Sequence, residues 1–200
     1  LVRNPTELVR SLSEEEMFYT IKELGYENAP ALISMTTGRQ LRYILDIDLW
    51  KKDMLDVQAA ARWLKMIAGF GEEKIIQFVQ ISDAELILSA LSRFIKVVAR
   101  DPELDLVEQV DFLPPYTLDD TFFIDIRPDM EESIKEILEA IFNWNFNYYF
   151  ELMENLAAGM TFEAEETARR WRQARLAEKG FPEFDEALEI YQYVQRNNIA

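Results

Sequence analysis

Over its first hundred positions the chain groups apolar residues into short blocks, and most blocks begin at a recognisable helix cap. Asn4-Pro5-Thr6-Glu7 supplies an N-cap, a proline at the first helical position and an acid in the first turn. Ser13-Glu14-Glu15-Glu16 reads as a capping box, flanked by Leu12 and Met17 as a hydrophobic staple. The same grammar returns at Thr37-Gly38-Arg39-Gln40, followed by Leu41. It returns again at Ser82-Asp83-Ala84-Glu85, with Ile81 and Leu86 as the staple pair.

The spacing of these starts is regular. Thr37 follows Ser13 by 24 residues and Ser82 follows it by 69, three intervals of 23. Each start is preceded by a short apolar word: Leu8–Leu12, Ala31–Met35 and Ile76–Ile81. Such a period suits two short helices and two tight turns. A single pair cannot bury its apolar stripe, whereas stacked pairs share a continuous core. The pattern therefore predicts a mainly α chain in which short helix pairs stack as an armadillo-like superhelix. The intervening unit is irregular: Asp46–Lys52 reads as a helix end or connector, and residues 55–68 as one longer amphipathic helix. Residues 83–99 read as another helix, through Leu86, Leu91, Phe94, Ile95 and Val98.

A boundary is expected at Arg100-Asp101-Pro102, dividing a helical-repeat domain, 1–100, from a helical-bundle portion, 101–200, with the two free to pack as one. A short helix capped by Asp101 is expected from Pro102 to Val110, and Phe112–Pro115 must be extended. The β-prone runs within 116–126, joined at Asp119-Asp120, predict one small β-hairpin. Asp129 and Glu132 then suggest a capping box for a long helix to about Ala157. Its aromatic residues from Phe142 to Phe150 project nearly all round, as in a buried helix. Thr161 is expected to cap a helix running to Lys179, with Glu165–Arg169 and Glu166–Arg170 spaced as ion pairs. Pro182 opens a last helix ending near Arg196.

Composition narrows the function classes. Among 200 residues there is no Cys and no His, which removes disulfides, thiolate chemistry and the usual general base. The net charge of -16 disfavours nucleic acid and anionic membranes as partners. That charge is localised: residues 1–100 hold 13 basic and 14 acidic groups, whereas residues 101–166 hold 2 and 18. The acidic third reads as a solvated face or as a surface for a basic partner. No apolar run approaches the roughly 18 residues of a membrane span. A cytoplasmic location is expected, and the start at Leu1 suggests a piece of a longer protein.

Catalytic constellations are missing from the pattern. No serine has a histidine to activate it, and Gly69-Phe70-Gly71 is not a phosphate-binding loop. Asp119, Asp120 and Asp125 are candidates for holding a hard cation, against their ordinary use in a polar turn. The Arg169–Arg175 cluster offers an anion site or a dock for the acidic third, against a simple exposed ion-paired face.

The recurring Leu-Val-x-x-Leu-Ser-x-x-Glu grammar of Leu8–Glu16 resembles the helical-repeat N-terminal domain of bacterial magnesium transporters. Related helix pairs occur in flagellar motor-switch proteins. That resemblance implies a superhelix; the acidic ion sensing of the transporter domain is not matched by this near-neutral first half. Over its whole length, notably Leu8–Leu24 and Glu165–Pro182, the chain resembles an uncharacterised family of bacterial proteins. That resemblance implies no activity, cofactor or site residue.

The resulting expectation is a non-catalytic interaction or scaffold module, with no cofactor and another, basic protein as partner. The alternative is a regulatory divalent-cation sensor using residues 101–166. A carboxylate enzyme is a third option that no particular acid pair supports. Oligomeric state is open.

Overall fold

The computed structural model describes residues 4–103 and 110–182. Its first elements begin where local side-chain chemistry places them. Helix α1 spans Pro5–Ser11, α2 Glu14–Leu24, α3 Pro30–Met35 and α4 Gly38–Asp48. Of the expected capping boxes, those at Ser13 and Thr37 form. Ser13 Oγ accepts from the Glu16 amide at 3.1 Å, and Glu16 accepts from the Ser13 amide at 2.8 Å. The Thr37–Gln40 pair matches it at 3.2 and 2.9 Å.

After a small hairpin of β1 (Trp50–Lys51) and β2 (Met54–Leu55) come α5 (Val57–Gly69), α6 (Glu72–Ile81) and α7 (Ala84–Leu91). Helices α1–α2, α3–α4 and α6–α7 are joined by one backbone device. The pairs Leu12-Ser13, Thr36-Thr37 and Ser82-Asp83 all lie at φ from -58 to -87° and ψ from 142 to 163°. The third joint differs from expectation by one residue: its N-cap is Asp83, not Ser82. Ser82 closes α6, and its buried hydroxyl has no hydrogen-bond partner among the described residues. Asp83 makes no capping bond, because Arg42 (2.5 Å) and Arg175 (2.8 Å) engage its carboxylate.

Neighbouring joints touch. Gln40 Nε2 donates to the carbonyls of Val9 (2.9 Å) and Leu12 (2.8 Å). A Cβ at Gly38 would stand 2.8 Å from Ile81 Cγ2, so only glycine admits this approach between the second and third joints. The buried Lys74 ammonium secures α6 to the second joint. It donates to the carbonyls of Ser34 (3.2 Å) and Thr36 (3.1 Å) and to Thr36 Oγ1 (3.0 Å).

The expected helix over 83–99 is corrected by the structure: α7 ends at Leu91, a turn follows, and Ile95–Ala99 is strand β3. Its branched residues Ile95, Val97 and Val98 suit a pleated ribbon, and it finds a partner in β5 (Phe122–Ile126). The two run antiparallel, with Ile95 opposite Ile126 and Ala99 opposite Phe122. Strand β4 (Tyr116–Thr117) pairs with the other edge of β5, giving the order β3-β5-β4. The predicted 116–126 hairpin is thus present, and β3 joins it from across position 100.

The long helix expected up to Ala157 is two helices, α8 (Glu131–Trp144) and α9 (Phe146–Ala157). Asn145, at φ -154° and ψ 95°, ends one and caps the other, its side chain accepting from the Tyr148 amide at 3.1 Å. Of the aromatic run, Tyr149 is fully buried, whereas Trp144 and Phe146 are exposed. The Asp129–Glu132 capping box does not form. Asp129 instead takes Arg127 in a two-pronged pair (2.5 and 2.8 Å), and Met130 precedes the helix.

Helix α10 spans Thr161–Glu178, with Met160 rather than Thr161 at the cap. The expected Glu165–Arg169 pair is replaced. Glu165 accepts from the Leu55 amide at 3.0 Å and pairs with Arg93, while Glu166 pairs with both Arg169 (2.9 Å) and Arg170 (3.1 Å). The expected helices at 102–110 and 182–196 fall largely outside the described residues. One hydrophobic cluster runs from Val9 to Ala168. In it α2 packs on α4, α5 and α6 pack on α8, and α10 packs on α7.

Candidate functional site

Helices α7, α9 and α10 enclose a groove with a cavity of about 270 Å³. Helical periodicity selects its lining. From α9 come Tyr148, Glu151, Leu152 and Asn155; from the start of α10 come Met160, Glu163, Ala164 and Thr167. Both sets have the i, i+3, i+4, i+7 spacing of a single helix face. The third wall is Ala84, Glu85 and Leu88 in the first turns of α7. Gly159, at φ 72°, makes the turn between α9 and α10, whose faces both line the groove.

Leu88, Leu152 and Ala164 are buried and form an apolar floor. Glu85, Glu151 and Glu163 bring three carboxylates to the same lining, which has no basic residue among the described ones. Among the described residues none of the three takes part in a salt bridge. Tyr148 reports the resulting field. Burial foremost, then the charges of Glu85 and Glu151, push its phenol up to about 12. Its buried hydroxyl has no hydrogen-bond partner among the described residues. Beside the groove Met160 and Phe162 are exposed, Phe162 at 84%, an unusual placement for a phenylalanine.

The walls are held by charged groups at the far end of α10. Arg175 binds both oxygens of Asp46 (2.6 and 2.7 Å) and one of Asp83 (2.8 Å). Arg172 donates to the Asp46 carbonyl at 2.5 Å and lies over the Trp50 ring. Within the cluster, Arg172 and Arg175 thus dock on α4 and on the third joint, while Arg169 and Arg170 pair with Glu166 on their own helix. Asp46 is itself buried.

The three aspartates singled out from the sequence are not brought together. Asp119 Oδ1 accepts from the amides of Thr121 (3.0 Å) and Phe122 (2.9 Å) and closes the hairpin turn. Asp120 sits in that turn at φ 54°, and Asp125 is exposed on β5 opposite Lys96. Among the described residues no three acidic side chains are placed to hold a metal ion. A second, wider hollow of about 800 Å³ contains Arg10 and Lys74, but all three Lys74 donors are taken by the joint it braces.

Sequence reasoning passed over the groove residues. Glu85 reads as the third helical residue of a capping box, and Tyr148 as core. The spacing within α9 and α10 is visible in the sequence; the meeting of the two faces at one groove depends on the Asn145 break and the Gly159 turn.

Among the described residues no helix is long and apolar enough to cross a membrane. A family model described as "Family of unknown function (DUF6178)" matches residues 2–200. Neither the curated proteins nor the solved structures contain a significant match.

Proposed function

We propose, for a chain that belongs to this family of unknown function from residue 2 to residue 200, a non-catalytic role as a protein-interaction module. Its docking site is the α7/α9/α10 groove, where it receives a segment of another protein. One observation carries the reading: a helix-walled groove combines a buried apolar floor with carboxylates that no described cation neutralises. Grooves of this kind accept side chains of a docked segment, the apolar floor supplying affinity and the polar rim orientation. The stacked joints support a scaffold reading, because repeated helix pairs make a stiff frame. Nucleic acid does not suit a molecule of net charge -16.

Site-specific photocrosslinking in the native cell tests the proposal. A photoreactive side chain replaces Asn155 on the groove rim; a control chain carries it at exposed Gln58 on α5. The expected result is one protein captured from position 155 and not from position 58, through one mapped segment. The second variant Ala84→Arg, which fills the groove and changes its charge, should abolish that crosslink without altering the melting temperature. Equal capture at both positions, or capture that Ala84→Arg leaves intact, would overturn the reading.

A further inference from the structure

Resting on that docking reading, we infer that the occupant is a basic segment of another protein, which inserts a Lys or Arg side chain between Glu85 and Glu151. Three observations meet here. First, the lining carries three carboxylates and, among the described residues, no cation. A neutral or acidic partner would cover these charges without compensating their lost hydration, which is unfavourable; a cationic side chain replaces that hydration with direct ion pairs. Second, the cavity, at about 270 Å³, lies just below the usual range for small-molecule sites. It suits a single long side chain better than a nucleotide or other bulky cofactor. Third, Leu88 and Leu152 provide an apolar bed for the methylene stem of such a side chain, with the charged end left at the carboxylates.

Charge also separates this occupant from the chain's own tail. Residues 183–200 carry four acids and one base, Arg196, so the tail does not complement the groove. Glu85 comes from the near-neutral first half, while Glu151 and Glu163 come from the acidic third. The cation would therefore bridge two parts of the chain that only the fold brings together. Electrostatic complementarity of this kind acts on association rate and partner choice, and weakens with salt.

The test uses the full chain and a fluorescently labelled amphipathic helical peptide with a Leu/Ala stripe flanked by Arg. Companion peptides carry Gln or Glu in place of every Arg. Anisotropy should show the Arg peptide binding, with the Gln peptide weaker by about tenfold or more and the Glu peptide not binding. The double variant E85Q/E151Q should lose about tenfold for the Arg peptide. The equally charged control E132Q/E154Q, outside the groove, should lose less than about twofold. Equal losses in the two double variants would mean diffuse attraction to an acidic surface and would overturn the inference. Tight binding of the Gln peptide that Ala84→Arg abolishes would overturn the basic occupant while leaving the docking groove standing. Peptide binding wholly insensitive to Ala84→Arg would overturn both.

Discussion

Asp46 and Arg175 stand 129 positions apart in the chain and meet through two hydrogen bonds of 2.6 and 2.7 Å. The aspartate, near the end of α4, is buried; the arginine also reaches Asp83 at the joint that starts α7. The contact therefore fixes α10 against two helices of the first half at once, and with it one wall of the groove. Replacing Arg175 by Met leaves the Asp46 carboxylate buried without its cation. A loss of about 3 kcal/mol in unfolding free energy is expected from urea denaturation. The double variant D46L/R175M should recover most of that loss, because a matched apolar pair removes the uncompensated charge. Equal instability in the single and double variants would contradict this.

The third joint allows a sharper test of the local account. Ser13 and Thr37 cap their helices, so S13A and T37A should each cost about 1 kcal/mol. Ser82 resembles them in sequence but closes the preceding helix with an unpartnered hydroxyl. S82A should be neutral or slightly stabilising in thermal melts. A cost equal to that of S13A would return the cap to Ser82.

Lys74 makes stability depend on pH. Burial foremost, then the nearby Arg10 charge, bring its ammonium from 10.5 to about 8 in the folded chain. Between those values the unfolded chain binds a proton that the folded chain has released, so this group's contribution becomes more favourable to folding as pH rises. Below about pH 8 the full unfavourable cost of holding the buried charge remains. Lys74→Met has no such proton. Wild type should therefore gain stability relative to Lys74→Met across this interval, measured by denaturant titration at several pH values. A difference that stays flat would contradict the account.

What could be read before the fold was known followed the range of each interaction. Capping boxes lie within four residues, so Ser13 with Glu16 and Thr37 with Gln40 announced their helices. Tyr116–Ile126 announced a hairpin for the same reason. Ile95–Ala99 did not announce a strand: an apolar run after a helical stripe fits either period, and its partner β5 comes from beyond the acidic boundary. Asn145 concealed a helix break, because an asparagine within a helix-prone run shows its capping role only when the chain turns there. Ser82 has the look of a cap, but the helix starts one residue later, where Asp83 gives its carboxylate to Arg42 and Arg175 rather than to a local capping bond. The groove was hidden for the plainest reason. Glu85, Tyr148, Glu151 and Glu163 each have an ordinary local role, and only their convergence is unusual.

The docking groove is tested most directly by amide nitrogen–proton correlation spectra of the full chain, recorded while the Arg-bearing peptide is added. The account predicts saturable shifts confined to the first turns of α7, to the Tyr148–Asn155 face of α9 and to Met160–Thr167. Shifts spread evenly over acidic positions such as Glu103, Glu131 and Glu132, with none concentrated at Glu85 and Glu151, would contradict it.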